Sequence, residues 1–90
     1  MSMLTGIQIR CGRLALRWSA QDLAQQSKVS TSTIKRIESD DGIPRATAAN
    51  LAAIKVSLEA AGIEFIGSPS DGPGIRIHRP ATAEETRSSQ

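Results

Sequence analysis

Residues Ser19 to Glu38, SAQDLAQQSKVSTSTIKRIE, decide how this chain folds. Ser19 is suited to cap a helix, because its hydroxyl can accept a free backbone N–H. Asp22, three residues on, suits the positive N-terminal end of the helix dipole and can reach back to the cap. A short helix over Ala20–Gln26 follows, then a break at Ser27-Lys28-Val29 and a second capping residue at Ser30. A further helix is expected over Thr31–Glu38, with Ile34 and Ile37 on one side and Lys35 and Arg36 turned elsewhere. Two short helices joined by so tight a turn must meet: Leu23 and Ala24 against Val29, Ile34 and Ile37. Ala24 has to be small, because the helices cross nearly in contact.

That layout is a helix-turn-helix, whose second helix offers its outer face to the major groove of DNA. The elements on either side are consistent with it. Thr5–Trp18 reads as a first helix, although its apolar residues cover more than one stripe. Gly12 inside it costs about 1 kcal/mol relative to alanine, which close packing against another helix would justify. After the turn-rich Asp40–Pro44 a fourth helix runs from Thr47 to Ala61. Its Leu51, Ile54, Leu58 and Ala61 mark one face of a 3.6-residue period, and Gly62 stands as a left-handed cap. The period then changes to two. Ile63–Ile66 and Ile75–His78 are short strand candidates on either side of a link, Gly67 to Gly74. Residues 80–90 carry no apolar residue larger than alanine and read as a disordered tail.

The division expected is therefore a helix-turn-helix domain over 1–62, a β-hairpin over 63–79 and the tail. With 90 residues the chain has room for one small core. Aromatics make up 2%, Trp18 and Phe65, so that core must be aliphatic. The net charge of +2 is unevenly spread. Six basic residues (Arg10, Arg13, Arg17, Lys28, Lys35, Arg36) precede residue 37 against one acid, Asp22, a footprint suited to phosphates.

Other classes find little support. The single cysteine, Cys11, excludes an internal disulfide and a thiolate zinc site; it reads as a small core residue of the first helix. His78 has no second His or Cys nearby and reads as a surface histidine. The serines and threonines lack a His/Asp constellation, so no enzyme, metal or cofactor is expected. The apolar runs are too short to span a bilayer, and no basic segment followed by an apolar run opens the chain. A cytoplasmic protein is expected.

Trp18–Ala24 and Val29–Glu38 together resemble the phage-repressor (Cro/cI-like, XRE) family of DNA-binding proteins. Four features carry the likeness: Ser before the second helix, Leu-Ala at its middle, Val-Ser in the turn, and Ile-x-x-Ile-Glu closing the third. It extends from Ile9 to Gly62 and implies a mainly α, four-helix, lambda-repressor-like domain, here followed by the hairpin. Three positions depart from the pattern. Lys28 stands at the usual turn glycine, Arg17 at the glycine that often ends the first helix, and Ala20 where a phosphate-gripping glutamine is common.

The resemblance implies base contacts from Thr31, Ser32, Lys35 and Arg36, although capping of the third helix is an equally plain use of Thr31–Thr33. Arg36 is the strongest reader, because a guanidinium can donate bidentately to guanine. Phosphate contacts are implied for Arg10, Arg13, Arg17, Ser19, Gln21 and Lys28. Arg45 matches a loop arginine that approaches the minor groove, and also reads as a plain surface residue. Arg13 and Glu38 are implied to form a structural ion pair. Relatives commonly dimerise through a helix after the fourth. Strands stand in that place here, so Ile63, Phe65, Ile66, Ile75 and Ile77 are expected to build a homodimer contact. The function implied is a dimeric (auto)repressor of transcription that reads a palindromic operator on double-stranded DNA, bacterial or phage in origin and associated with the nucleoid. The rival is an antitoxin whose C-terminal segment clasps a toxin or other protein antagonist.

Overall fold

Thr5 starts the first helix by a reciprocal cap: its hydroxyl accepts the Gln8 N–H, and its own N–H donates to Gln8 Oε1 at 2.9 Å. In the computed structural model, which describes residues 4–78, the elements are α1 (Gly6–Ala15), α2 (Ala20–Ser27), α3 (Thr31–Glu38), α4 (Ala48–Ala60), β1 (Ile63–Ser68) and β2 (Asp71–Ile77). The chain is thus mainly helical, four helices followed by an antiparallel hairpin. The tail over residues 80–90 lies outside the described residues.

The first helix stops three residues short of the expected Trp18. Arg17 takes a left-handed conformation (φ +61°), with Arg17 N–H on the Leu14 carbonyl and Trp18 N–H on the Arg13 carbonyl. This is the Schellman closure, made without the usual glycine. It turns the chain directly into the Ser19 cap. At the end of α2, Lys28 is also left-handed (φ +63°), so the lysine at the turn-glycine position takes on the glycine's conformation. The cost of a left-handed non-glycine residue is of order 1–2 kcal/mol.

The core is aliphatic: Leu4, Ile9, Leu23, Val29, Ile34, Ile37, Ile54, Leu58 and Ile63. Trp18 and Phe65 only flank it. On α1 the inward side is formed by Gln8, Ile9 and Gly12, at helical spacing from buried Thr5. Cys11 therefore turns outward and is exposed, not the small core residue expected. Gly12 is packed against a strand and α4, rather than a single helix. A methyl group there would stand 3.2 Å from Ile63 Cγ2 and 3.6 Å from Leu58 Cδ1.

The segment Gly67–Gly74 is not a link. Both strands run through it, and the chain reverses at Pro69-Ser70. The ladder pairs Ile63 with Ile77, Phe65 with Ile75 and Ile66 with Gly74, then shifts register before Ser68–Asp71. That irregularity accommodates Pro73, which has no N–H for the ladder.

One buried polar side chain fastens the hairpin to the helices. Gln8 Nε2 donates to the carbonyls of Ile66 (3.1 Å) and Gly74 (2.9 Å) while its oxygen completes the α1 cap. Removing it strips the Thr5 N–H of its acceptor. Gln8→Ala is therefore expected to lower stability by about 1–3 kcal/mol, read as a fall in the urea midpoint. An unchanged midpoint would show that the hairpin is held by apolar contact alone. On the hairpin's outer face Glu64 takes His78 at 2.6 Å and Arg76 at 3.2 Å. The hydrogen bond from His78, helped by Arg76, holds the Glu64 carboxyl below its ordinary range. This is a surface cluster of small energetic weight.

Candidate nucleic-acid interface

The helix pair is set by burial. Leu23 of α2, Val29 of the turn, and Ile34 and Ile37 of α3 are each at most 5% exposed. With those positions turned inward, the helical repeat of α3 leaves Ser32, Lys35 and Arg36 exposed and Thr31 half-buried on its outer side. Capping and outward presentation coexist at its start. Ser30 accepts the Thr33 N–H, and its hydroxyl also bonds Thr33 Oγ1 at 2.8 Å. The cap is thus made by Ser30, and the Ser32 hydroxyl makes only a long 3.4 Å contact with it. Arg36 is similarly uncommitted: its Nη1 lies 3.4 Å from the Arg45 carbonyl.

A buried ion pair holds this helix against α1. Arg13 meets Glu38 through two parallel hydrogen bonds, Nε to Oε2 and Nη2 to Oε1, both 2.8 Å. The side chains are 14% and 7% exposed. Such a fork is the strong form of an arginine–carboxylate contact. The hydrogen bond to Glu38, outweighing burial, raises the Arg13 pKa further above its already high value. The third Arg13 donor, Nη1, goes to the Trp18 carbonyl at 2.9 Å, so the same guanidinium also braces the entry to α2. Arg13 was expected to approach phosphate as well as to pair. Each of its three nitrogens donates inside the protein, which makes it a strut, and one N–H on each of Nη1 and Nη2 is left over for a phosphate.

The remaining basic and polar candidates differ in how free they are. Arg10 donates to the Glu38 carbonyl at 2.7 Å and lies 3.4 Å from Asp41, which ties it to the end of α3. Arg17, Ser19, Gln21 and Lys28 are exposed around the start of α2 and the turn. Ser19 accepts the Asp22 N–H at 3.0 Å, and Asp22 accepts the Ser19 N–H at 2.9 Å, completing a capping box that places this end of α2. Arg45 is exposed in the loop before α4.

Of the five residues expected at a dimer contact, Ile63 is buried in the chain's own core, at 1% exposure. Phe65 and Ile75 pack on the same core, Ile66 is half-buried, and Ile77 is 46% exposed. Ile63 is therefore an anchor for the hairpin and not available to a second chain. Sequence reading missed the Gln8 clamp and the Arg10–Glu38 carbonyl contact. The only local signal for the first was Gln three residues after Thr5, the pattern of a capping box.

Among the described residues no group of three or more His, Cys, Asp or Glu is placed to hold a metal ion, and no helix is long and apolar enough to cross a membrane. A family model described as helix-turn-helix matches residues 9–54, just over half of the 90-residue chain. The match takes in most of α1, all of α2 and α3, and α4 as far as Ile54. No curated protein matches the chain.

Proposed function

The chain belongs to the XRE-type helix-turn-helix family of DNA-binding transcription regulators, and from that premise we propose that it is a repressor that binds a palindromic operator as a dimer, with α3 in the major groove. The observation that carries this reading is the division of labour on α3. Its inner face is locked by Ile34, Ile37 and the Arg13–Glu38 pair, while Ser32, Lys35 and Arg36 are exposed and almost free of internal partners. Rigid presentation of uncommitted donors is what base reading requires. In this reading Arg36 and Lys35 take guanine edges, and Thr31 and Ser32 add shorter contacts. Arg17, Ser19, Gln21 and Lys28 grip phosphate, and Arg45 reaches for the minor groove. One such helix spans only about four to five base pairs, so two copies on half-sites about one turn apart supply the rest of the specificity.

The test is binding of the purified protein to sheared genomic DNA of its source, followed by sequencing of the bound fragments. An enriched palindrome is expected; no enrichment over bulk DNA would overturn the reading. On the enriched site Arg36→Ala should weaken binding by about 1–3 kcal/mol, roughly 5- to 150-fold, while non-specific binding changes little. With about four to six phosphates neutralised per dimer, log affinity should fall with log salt at a slope near −4 to −5. A flat salt response would exclude a phosphate-gripping role for these residues.

A further inference from the structure

The last turn of α3 is closed from outside the helix. An α-helix leaves its last four carbonyls without an internal partner. In α3 these belong to Lys35, Arg36, Ile37 and Glu38. Three are met locally: Ser39 N–H donates to the Lys35 carbonyl (3.1 Å), Asp40 N–H to that of Ile37 (3.2 Å), and the Ser39 hydroxyl to that of Arg36 (2.7 Å). Among the described residues the fourth, the Glu38 carbonyl, receives only Arg10 Nη1 of α1, at 2.7 Å. A guanidinium suits that place, because the C-terminal end of a helix carries the negative end of its dipole. The same side chain leans on Asp41 (3.4 Å), just beyond the helix.

Three positions of α1 meet this end of α3. Gly6, Arg10 and Arg13 stand four and three residues apart, on one face of α1. Gly6 is buried, and a methyl group added to it would collide with the backbone carbonyls of Ile37 and Asp40. Its N–H donates to the Gly42 carbonyl at 2.9 Å, in the loop that follows α3. Arg13 holds the Glu38 carboxylate, Arg10 holds the carbonyl of the same residue, and Gly6 lets the two backbones close up. Lys35 and Arg36 ride on the turn so held.

We propose, resting on the major-groove reading of α3 above, that Arg10 and Gly6 are positioning residues for base recognition. They fix the last turn of α3, and with it the aim of Lys35 and Arg36, and Arg10 does this in place of gripping the DNA backbone. Base reading needs its donors held to within about 0.5 Å. Phosphate contacts carry no sequence information, and long exposed side chains such as Arg17 and Lys28 can follow a small shift of the helices. Loosening the last turn of α3 therefore costs discrimination and spares the grip. An Arg10 that grips phosphate, as the family resemblance implies, would do the reverse.

Arg10→Met in the full chain tests this, because it keeps an apolar stem at a half-buried site and removes charge and donors together. Well below the melting temperature, affinity for the enriched operator should fall about tenfold while affinity for bulk DNA holds. The slope of log affinity against log salt should stay as it is. Operator and bulk DNA weakened alike, with a slope smaller by about one for each chain bound, would make Arg10 a phosphate contact and overturn the proposal. Unaltered affinity for both would overturn it as well. Gly6→Ala changes no charge and should lower the operator-to-bulk ratio in the same way; a folded Gly6→Ala chain that keeps the ratio removes Gly6 from the role, and if it does not fold, Arg10→Met decides. Amide exchange without DNA probes the contact independently of any operator. Ile37, Glu38 and Ser39 should exchange at least about fivefold faster in Arg10→Met, with Leu23 and Ala24 of α2 unchanged. Unchanged exchange at the end of α3 sinks the proposal whatever the DNA result. Faster exchange there in a protein that enriches no palindrome leaves the positioning role standing and sinks the operator reading alone.

Discussion

Glu38→Ala is expected to lower the unfolding free energy by about 2–4 kcal/mol, more than any surface substitution. Removing one partner of a buried ion pair costs about 3–5 kcal/mol, because the other charge is left desolvated and alone. The 14% exposure of the Arg13 side chain justifies a figure at the lower side of that range. In so small a domain each kcal/mol moves the melting temperature by about 4–8 °C, so a fall of about 8–32 °C should appear in a thermal scan. DNA affinity should fall with it, because the same carboxylate holds α1 against α3 and, through Arg13 and the Trp18 carbonyl, the entry to α2. The double variant Arg13→Met/Glu38→Leu should melt higher than Glu38→Ala alone, since it buries no unpaired charge. A melting temperature unchanged in Glu38→Ala would mean that the pair holds nothing together.

Ile63→Ala is expected to cost about 2–4 kcal/mol, by the lost transfer energy and the cavity left between Gly12 and Leu58. The urea midpoint should fall without a change of slope. The same argument predicts the fate of a chain ending at Gly62. It lacks Ile63, strips Gln8 of its two carbonyl acceptors and uncovers α1 and α4. Loss of cooperative melting is expected, not a folded monomer. A truncated chain that keeps its helical spectrum and a sharp transition would show that the hairpin is an appendage.

Local chemistry made the reading half of the molecule legible. Ser19 and Ser30 are caps wherever they are placed, because their hydroxyls bond N–H groups three residues on. The apolar spacing of Leu23, Val29, Ile34 and Ile37 then leaves one way to pack α2 on α3. Arg13 and Glu38, 25 positions apart, were paired only by resemblance to a known family, since nothing local links them.

Where local preferences conflict with packing, the sequence was a poorer guide. Arg17 has no intrinsic liking for a left-handed conformation, yet α1 ends there because Arg13 must reach Glu38 and the chain must turn to Ser19. Cys11 is as apolar as a core residue should be. Its neighbours Ile9 and Gly12 hold the inward face, and one helix has only one such face here. Ile63 and Ile77 sit opposite each other in the ladder with the same side chain, one at 1% and one at 46% exposure. No property of isoleucine separates them. Ile63 packs beside Gly12 in the core while Ile77 lies outside that core, and that was for the tertiary structure to decide.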